Sequence, residues 1–109
     1  MARIRLHIHV GEDHSLGPGK IALLEAVQTQ GSISAAARTL GMAYRHAWEL
    51  VDDVNHAFHS PVVEATSGGR STVTPFGEEV IRRYRTMERA AQRAVDREIG
   101  ALERKRRSA

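Results

Sequence analysis

Apolar and polar residues alternate strictly at the start of the chain. Ile4, Leu6, Ile8 and Val10 fall on one side, and Arg3, Arg5, His7 and His9 on the other. A period of two predicts a half-buried strand. The pattern stops over residues 11–19, where glycines, a proline and charged residues predict a loop. From Lys20 to Gln30 the period becomes helical, with Ile21, Leu24 and Val27 in register, Leu23 widening the stripe, and Gly31 as terminator. A second, short helix follows, with Ser34 as its expected cap, Ala35, Ala36, Ala37 and Leu40 within it, and Gly41 at its end. The third predicted helix covers about residues 43–58. Ala47, Val51, Val54 and Phe58 form its inner stripe, leaving Arg45, Glu49, Asp52 and Asp53 outside. Trp48, at the stripe's edge, is expected to pack and set the helix angle.

Pro61 prevents further helix, and residues 62–66 and 71–74 read as two short strands around a Ser67-Gly68-Gly69-Arg70 turn. Thr74-Pro75 opens a last helix, cap followed by proline at the first helical position. It is expected to run to about Arg104, which at 1.5 Å per residue is roughly 45 Å, too long to lie on so small a domain. Val80, Tyr84, Met87, Ala91, Val95, Ile99 and Leu102 form one apolar stripe along it. Arg85, Arg89, Arg93 and Arg97 make a basic ridge beside that stripe, read first as a solvated face.

Strand, three helices, a glycine-tipped hairpin and a long helix describe a fold that is mainly α with a small β-sheet: a winged helix-turn-helix with a long C-terminal dimerisation helix. The expected division is a core with wing over 1–74, the long helix over 75–104 and a frayed basic tail over 105–109, all one domain. A long helix with one apolar face needs a partner, and the simplest is its own symmetry mate, which points to a homodimer through Val80, Tyr84, Met87, Ala91, Val95 and Ile99.

Composition narrows the classes. With 109 residues the chain is one domain long, and with no cysteine it has no disulfide frame, Cys-ligated zinc or thiol nucleophile. No apolar run approaches the roughly 18 residues of a membrane span, and no signal-peptide pattern opens the chain, so a cytoplasmic protein is expected. The net charge of +3 is unevenly placed: residues 82–109 hold 10 basic and 4 acidic side chains, residues 1–81 hold 6 and 9. Nearly all the cations are arginines, the residue suited to bidentate phosphate contacts. His7, His9 and His14 raise a metal site, but Arg3 and Arg5 share the strand face and repel a cation, so no metal and no cofactor is expected. No Ser/His/Asp order, phosphate loop or paired acid set appears, and Asp52 and Asp53 diverge by about 100° on a helix, so an enzyme is not expected.

The tract from about Lys20 to Tyr84 resembles the DNA-binding domain of the ModE family of molybdate-responsive regulators, itself similar to the LysR-type winged helix. The resemblance is carried in order by GSISAAARTLGMAYRHAW, VDDVN, VVEATSGG and TPFGEEVIRRY. It implies that the third helix enters the major groove, with Arg45 on guanine or phosphate and Tyr44 and His46 on base edges or backbone. Ser32, Ser34 and Arg38 are candidate phosphate contacts, and Arg70 a wing contact to the minor groove. Ala43 stands where that family usually has Ser, which removes a capping or phosphate contact, and the wing is short, with two glycines. ModE proteins also carry molybdate-binding domains after the DNA-binding one. The expectation here is therefore a stand-alone relative: a homodimeric regulator of transcription on double-stranded DNA, reading an inverted repeat with half-sites one or more helical turns apart, and controlled through a separate effector protein, its own abundance or a small site that the sequence does not reveal. The alternative is an interaction module whose winged domain and arginine ridge bind an acidic partner.

Overall fold

The computed structural model describes residues 2–106. In order the elements are β1 (Ile8–Val10), β2 (His14–Leu16), α1 (Pro18–Gln30), α2 (Ile33–Leu40), α3 (Tyr44–Ala57), β3 (Val63–Ala65), β4 (Ser71–Val73) and α4 (Pro75–Glu103). This is the mainly helical winged helix-turn-helix that the pattern predicts, with two small antiparallel sheets, β1–β2 and β3–β4.

The first strand is shorter than its pattern. Burial alternates from Ala2 to Val10 as predicted, yet ladder pairing is confined to Ile8–Val10. Its partner, His14–Leu16, lies in the stretch predicted as loop; the chain reverses over residues 11–13 and pairs Val10 with His14 and Ile8 with Leu16. Three residues between turn-forming ones leave too short an alternation to register as a strand. Residues 2–7 have no strand partner among the described residues and run along α4 instead. Gln92 accepts from the Ile4 amide and donates to the Ala2 carbonyl. The buried Tyr84 hydroxyl donates to the Leu6 carbonyl at 2.7 Å, and burial pushes its phenol up, so it remains a donor.

The cap of α2 lies two residues before the predicted one. Ser32, not Ser34, has extended backbone and accepts from the Ala35 amide through its hydroxyl at 3.0 Å. Both serines are chemically fit to cap, and the start of the helix at Ile33 decides between them. Between α2 and α3 the chain turns at Gly41, whose φ of 67° is costly for any residue with a Cβ. Ala36 and Ala37, both fully buried, let the helices cross closely.

One core joins α1 (Ile21, Leu23, Leu24, Val27), α3 (Ala47, Val51, Val54), the wing (Val62, Val63, Val73) and the start of α4 (Val80, Ile81, Tyr84). Thr74 welds α4 to the wing: its hydroxyl accepts from the Gly77 amide and donates to the Pro61 carbonyl, and its amide donates to the Val62 carbonyl. A Cβ on Gly77 would lie 2.2 Å from the Val62 carbonyl oxygen, so only glycine permits this approach. All four buried residues of α4 lie between Gly77 and Tyr84. The rest of its 29 residues carries the molecule out to 57 × 29 × 23 Å. Of the tail predicted over 105–109, Lys105 and Arg106 follow the helix end, and residues 107–109 lie outside the described residues. No helix among the described residues is long and apolar enough to cross a membrane.

Candidate nucleic-acid interface

The second half of α3 is fixed by polar bonds to three other elements. Asp53 accepts from Lys20 Nζ on α1 at 2.5 Å and from His14 Nδ1 on β2 at 2.8 Å, while Lys20 also donates to the Ser15 carbonyl. Burial opposes ionisation of Asp53, but the bonds from Lys20 and His14 outweigh it and hold the carboxyl below the usual carboxylate range. Asp53 was predicted outside; it is half-buried because β2, itself unpredicted, closes over it. Two positions on, the Asn55 amide oxygen accepts from the Val62 and Val63 amides, and its nitrogen donates to the Val63 carbonyl. One side chain thus fixes the wing's first strand to α3.

The first half of α3 is presented rather than fixed. Ala43 at the N-cap supplies no side-chain bond, so the first-turn amides keep their positive field without a side-chain acceptor. Tyr44 (56% exposed), Arg45 and His46 all face outward, and among the described residues Arg45 meets only its own neighbour Glu49, at 3.4 Å. Trp48 is 48% exposed, which overturns its predicted packing role. It sits about 100° round the helix from Ala47, and the core does not cover that side of the first two turns; Leu40, at the end of α2, is also exposed. On α2, Arg38 donates to the Ser34 hydroxyl at 2.9 Å on the exposed surface, and Ser32 is occupied as a cap.

At the wing, Thr66 donates to the Arg70 carbonyl at 2.8 Å and closes a single 3-10 turn, Ser67–Gly69. Gly68 and Gly69 form the tip, both with positive φ. Arg70, predicted at the tip, turns back towards the α1–α2 junction: its guanidinium nitrogen lies 2.7 Å from where a Cβ on Gly31 would stand, and the Ser71 amide donates to the Gly31 carbonyl. The fold therefore brings Arg70 beside the chain segment that carries Ser32.

On α4 two of the six residues predicted for dimerisation are not available. Val80 and Tyr84 are buried in the protomer's own core, because α4 starts inside that core rather than beyond it. Met87 is 42% exposed, and Ala91, Val95 and Ile99 are half-buried. The arginine ridge also loses its first member. Arg85 grips both oxygens of Glu25 on α1 and one of Glu88, and these carboxylates push its guanidinium up. His7 packs over Gly17 and His14 serves Asp53; among the described residues no group of three or more His, Asp or Glu is placed to hold a metal.

A helix-turn-helix with one helix anchored at its far end and exposed at its near end, flanked by a β-hairpin, is an architecture that recurs in DNA-binding regulators. Residues 19–78 match the family described as bacterial regulatory helix-turn-helix protein, lysR family. The chain belongs to that family. It is similar to the molybdenum transport protein ModE of Azotobacter vinelandii, 35% identical over 101 residues, which are 89% of this chain and 37% of that protein. It is similar as well to the molybdenum-pterin-binding protein MopB of Rhodobacter capsulatus (42% over 77 residues, 67% of this chain and 28% of that protein). A third relative is the DNA-binding transcriptional dual regulator ModE of Escherichia coli, at 28% over 99 residues, or 87% of this chain and 38% of that protein. The chain thus spans less than two fifths of the length of each of these relatives.

Proposed function

We propose that this protein is a sequence-specific regulator of transcription that binds double-stranded DNA as a homodimer. The observation that carries the reading is the division of α3: Asp53 and Asn55 fix its second half, while Tyr44, Arg45 and His46 stand exposed at an end whose amides lack a side-chain cap. In this reading the first half of α3 enters the major groove, with Ala43 at its closest approach. Ser34 and Arg38 reach phosphate, Ser32 adds its hydroxyl proton, and the wing with Arg70 meets backbone or minor groove. The part of α4 beyond Tyr84 pairs the two subunits through Met87, Ala91, Val95 and Ile99. Its support is that this stretch holds no fully buried residue and that Met87, 42% exposed, borders an apolar groove of about 160 Å³ with Phe58 and Phe76. The names of two of these relatives mention molybdenum, while the family match lies in the helix-turn-helix part.

The acidic-partner reading rests on the arginine ridge, which Glu25 and Glu88 shorten by closing Arg85. The test is selection from a pool of random duplexes, with anisotropy across a salt series. An enriched inverted repeat, bound less tightly as salt rises, is the expected result. Arg45→Ala should weaken binding to that duplex about tenfold or more while leaving the unfolding midpoint unchanged. Weak, unselective binding would favour the acidic partner.

A further inference from the structure

The largest exposed apolar side chains of the helix-turn-helix are gathered around the start of α3. Tyr44 and Trp48 are one turn apart on the same side of the helix, 56% and 48% exposed, and Leu40 at the end of α2 is 38% exposed. Leaving a tryptophan half in water forfeits much of the stabilisation its burial would bring. This apolar facet is not isolated from charge. Arg45 follows Tyr44 directly and is almost fully exposed, and the uncapped amides of the first turn point out of the same end. An occupant that suits both features has apolar groups at its centre and anions at its rim. The floor of the major groove offers that combination where thymines are present: the C5-methyl projects into the groove and phosphates line both edges.

Resting on the DNA-binding reading above, we infer that Trp48 and Tyr44 read thymine C5-methyl groups, so that the protein selects half-sites with thymine at one or two fixed positions. Arg45 then supplies phosphate or guanine contact beside that apolar patch. The methyl is the one apolar group on a base edge, and apolar contact carries no directional hydrogen bond, so exposed aromatic surface suits it without needing a polar partner.

The duplex enriched from the random pool by the wild-type chain is remade with deoxyuridine in place of thymidine, one position at a time. This deletes the methyl and leaves every hydrogen-bonding group of the base in place. Wild-type affinity should fall about fourfold for each methyl the aromatics cover. Trp48→Ala and Tyr44→Ala should bind the thymine duplex more weakly and lose the discrimination at their own positions. Because Trp48 is the chain's single tryptophan, its emission should also change on binding the thymine duplex and change less with deoxyuridine at the contacted position. Enrichment of a motif with no uracil sensitivity anywhere would overturn this inference and leave DNA binding standing. Undiminished uracil discrimination in both variants would overturn it as well. Failure to enrich any motif would remove the DNA-binding reading itself and this inference with it. The uracil series uses the wild-type chain, so it stands even if a variant folds poorly.

Discussion

The two ends of α3 differ in what holds them. From Val51 to Asn55 the helix contributes two core residues and bonds to α1, β2 and β3. From Tyr44 to Glu49 it contributes one small core residue, Ala47, and a single long ion pair within the helix. Exposed pairs of that kind contribute about 0–1 kcal/mol. The contrast shows how a short helix can be rigid and still present side chains: its orientation is set at one end, so the other need not be covered. Substitutions at the anchored end should therefore change stability, and those of the outward-facing side chains from Tyr44 to Glu49 should change binding with little effect on stability.

Asn55→Ala should have the largest effect on stability. It leaves the Val62 and Val63 amides and the Val63 carbonyl without their partner, a loss of about 2–3 kcal/mol. Urea denaturation should show it as a lower midpoint at unchanged slope, while Arg45→Ala should lie within about 0.5 kcal/mol of wild type. Equal losses in the two variants would break the contrast between the ends. Asn55→Asp should recover part of the loss, since a carboxylate still accepts from both amides but cannot donate to the Val63 carbonyl.

Asp53 comes next, and its effect depends on pH. Its folded-state carboxyl titrates below the ordinary value of 3.8, so its stabilisation is complete above that range and disappears as pH falls through the lower folded value. Asp53→Asn should cost about 1 kcal/mol at pH 6, because Lys20 and His14 lose an ionised acceptor. At pH 2.5–3, below the ordinary value of 3.8, the gap between variant and wild type should be smaller than at pH 6, because the unfolded chain takes up the proton more readily than the folded one. A gap that stays constant between pH 6 and pH 2.5 would mean that the bonds matter for geometry and not for charge.

The presented end was more legible in the sequence than the anchored end. Tyr44, Arg45 and His46 follow a turn glycine and open a helix, which local pattern alone reveals. The inner stripe of Ala47, Val51 and Val54, and the Thr74-Pro75 start of α4, are equally local. Asn55 is different: its partners are backbone groups that reach it only after the chain has turned at Pro61, and an asparagine in a helix gives no sign of such partners. Asp53 looks like a surface acid until β2 is known, and β2 is only three residues long. Trp48 failed in the opposite direction. Large apolar residues beside a stripe are usually covered, and no periodicity reports that a neighbouring element is missing. Val80 and Tyr84 show the same limit on α4, where one continuous stripe first serves the protomer's own core and is then left to serve something else.

The smallest expected change sharpens the contrast at its exposed extreme. Ala43 has φ −65° and ψ 142°, the extended backbone of an N-cap, but no oxygen to accept from the first-turn amides. Ala43→Ser places a hydroxyl there without altering the backbone, so it should stabilise the chain by about 0.5–1 kcal/mol, seen as a higher urea midpoint. The added hydroxyl also has a proton to donate to phosphate, and DNA affinity should stay equal or rise. The alternative is instructive: if capping the amides internally weakens DNA binding while raising stability, then those amides themselves contact phosphate, and the uncapped start of α3 is part of the interface rather than a defect in the helix.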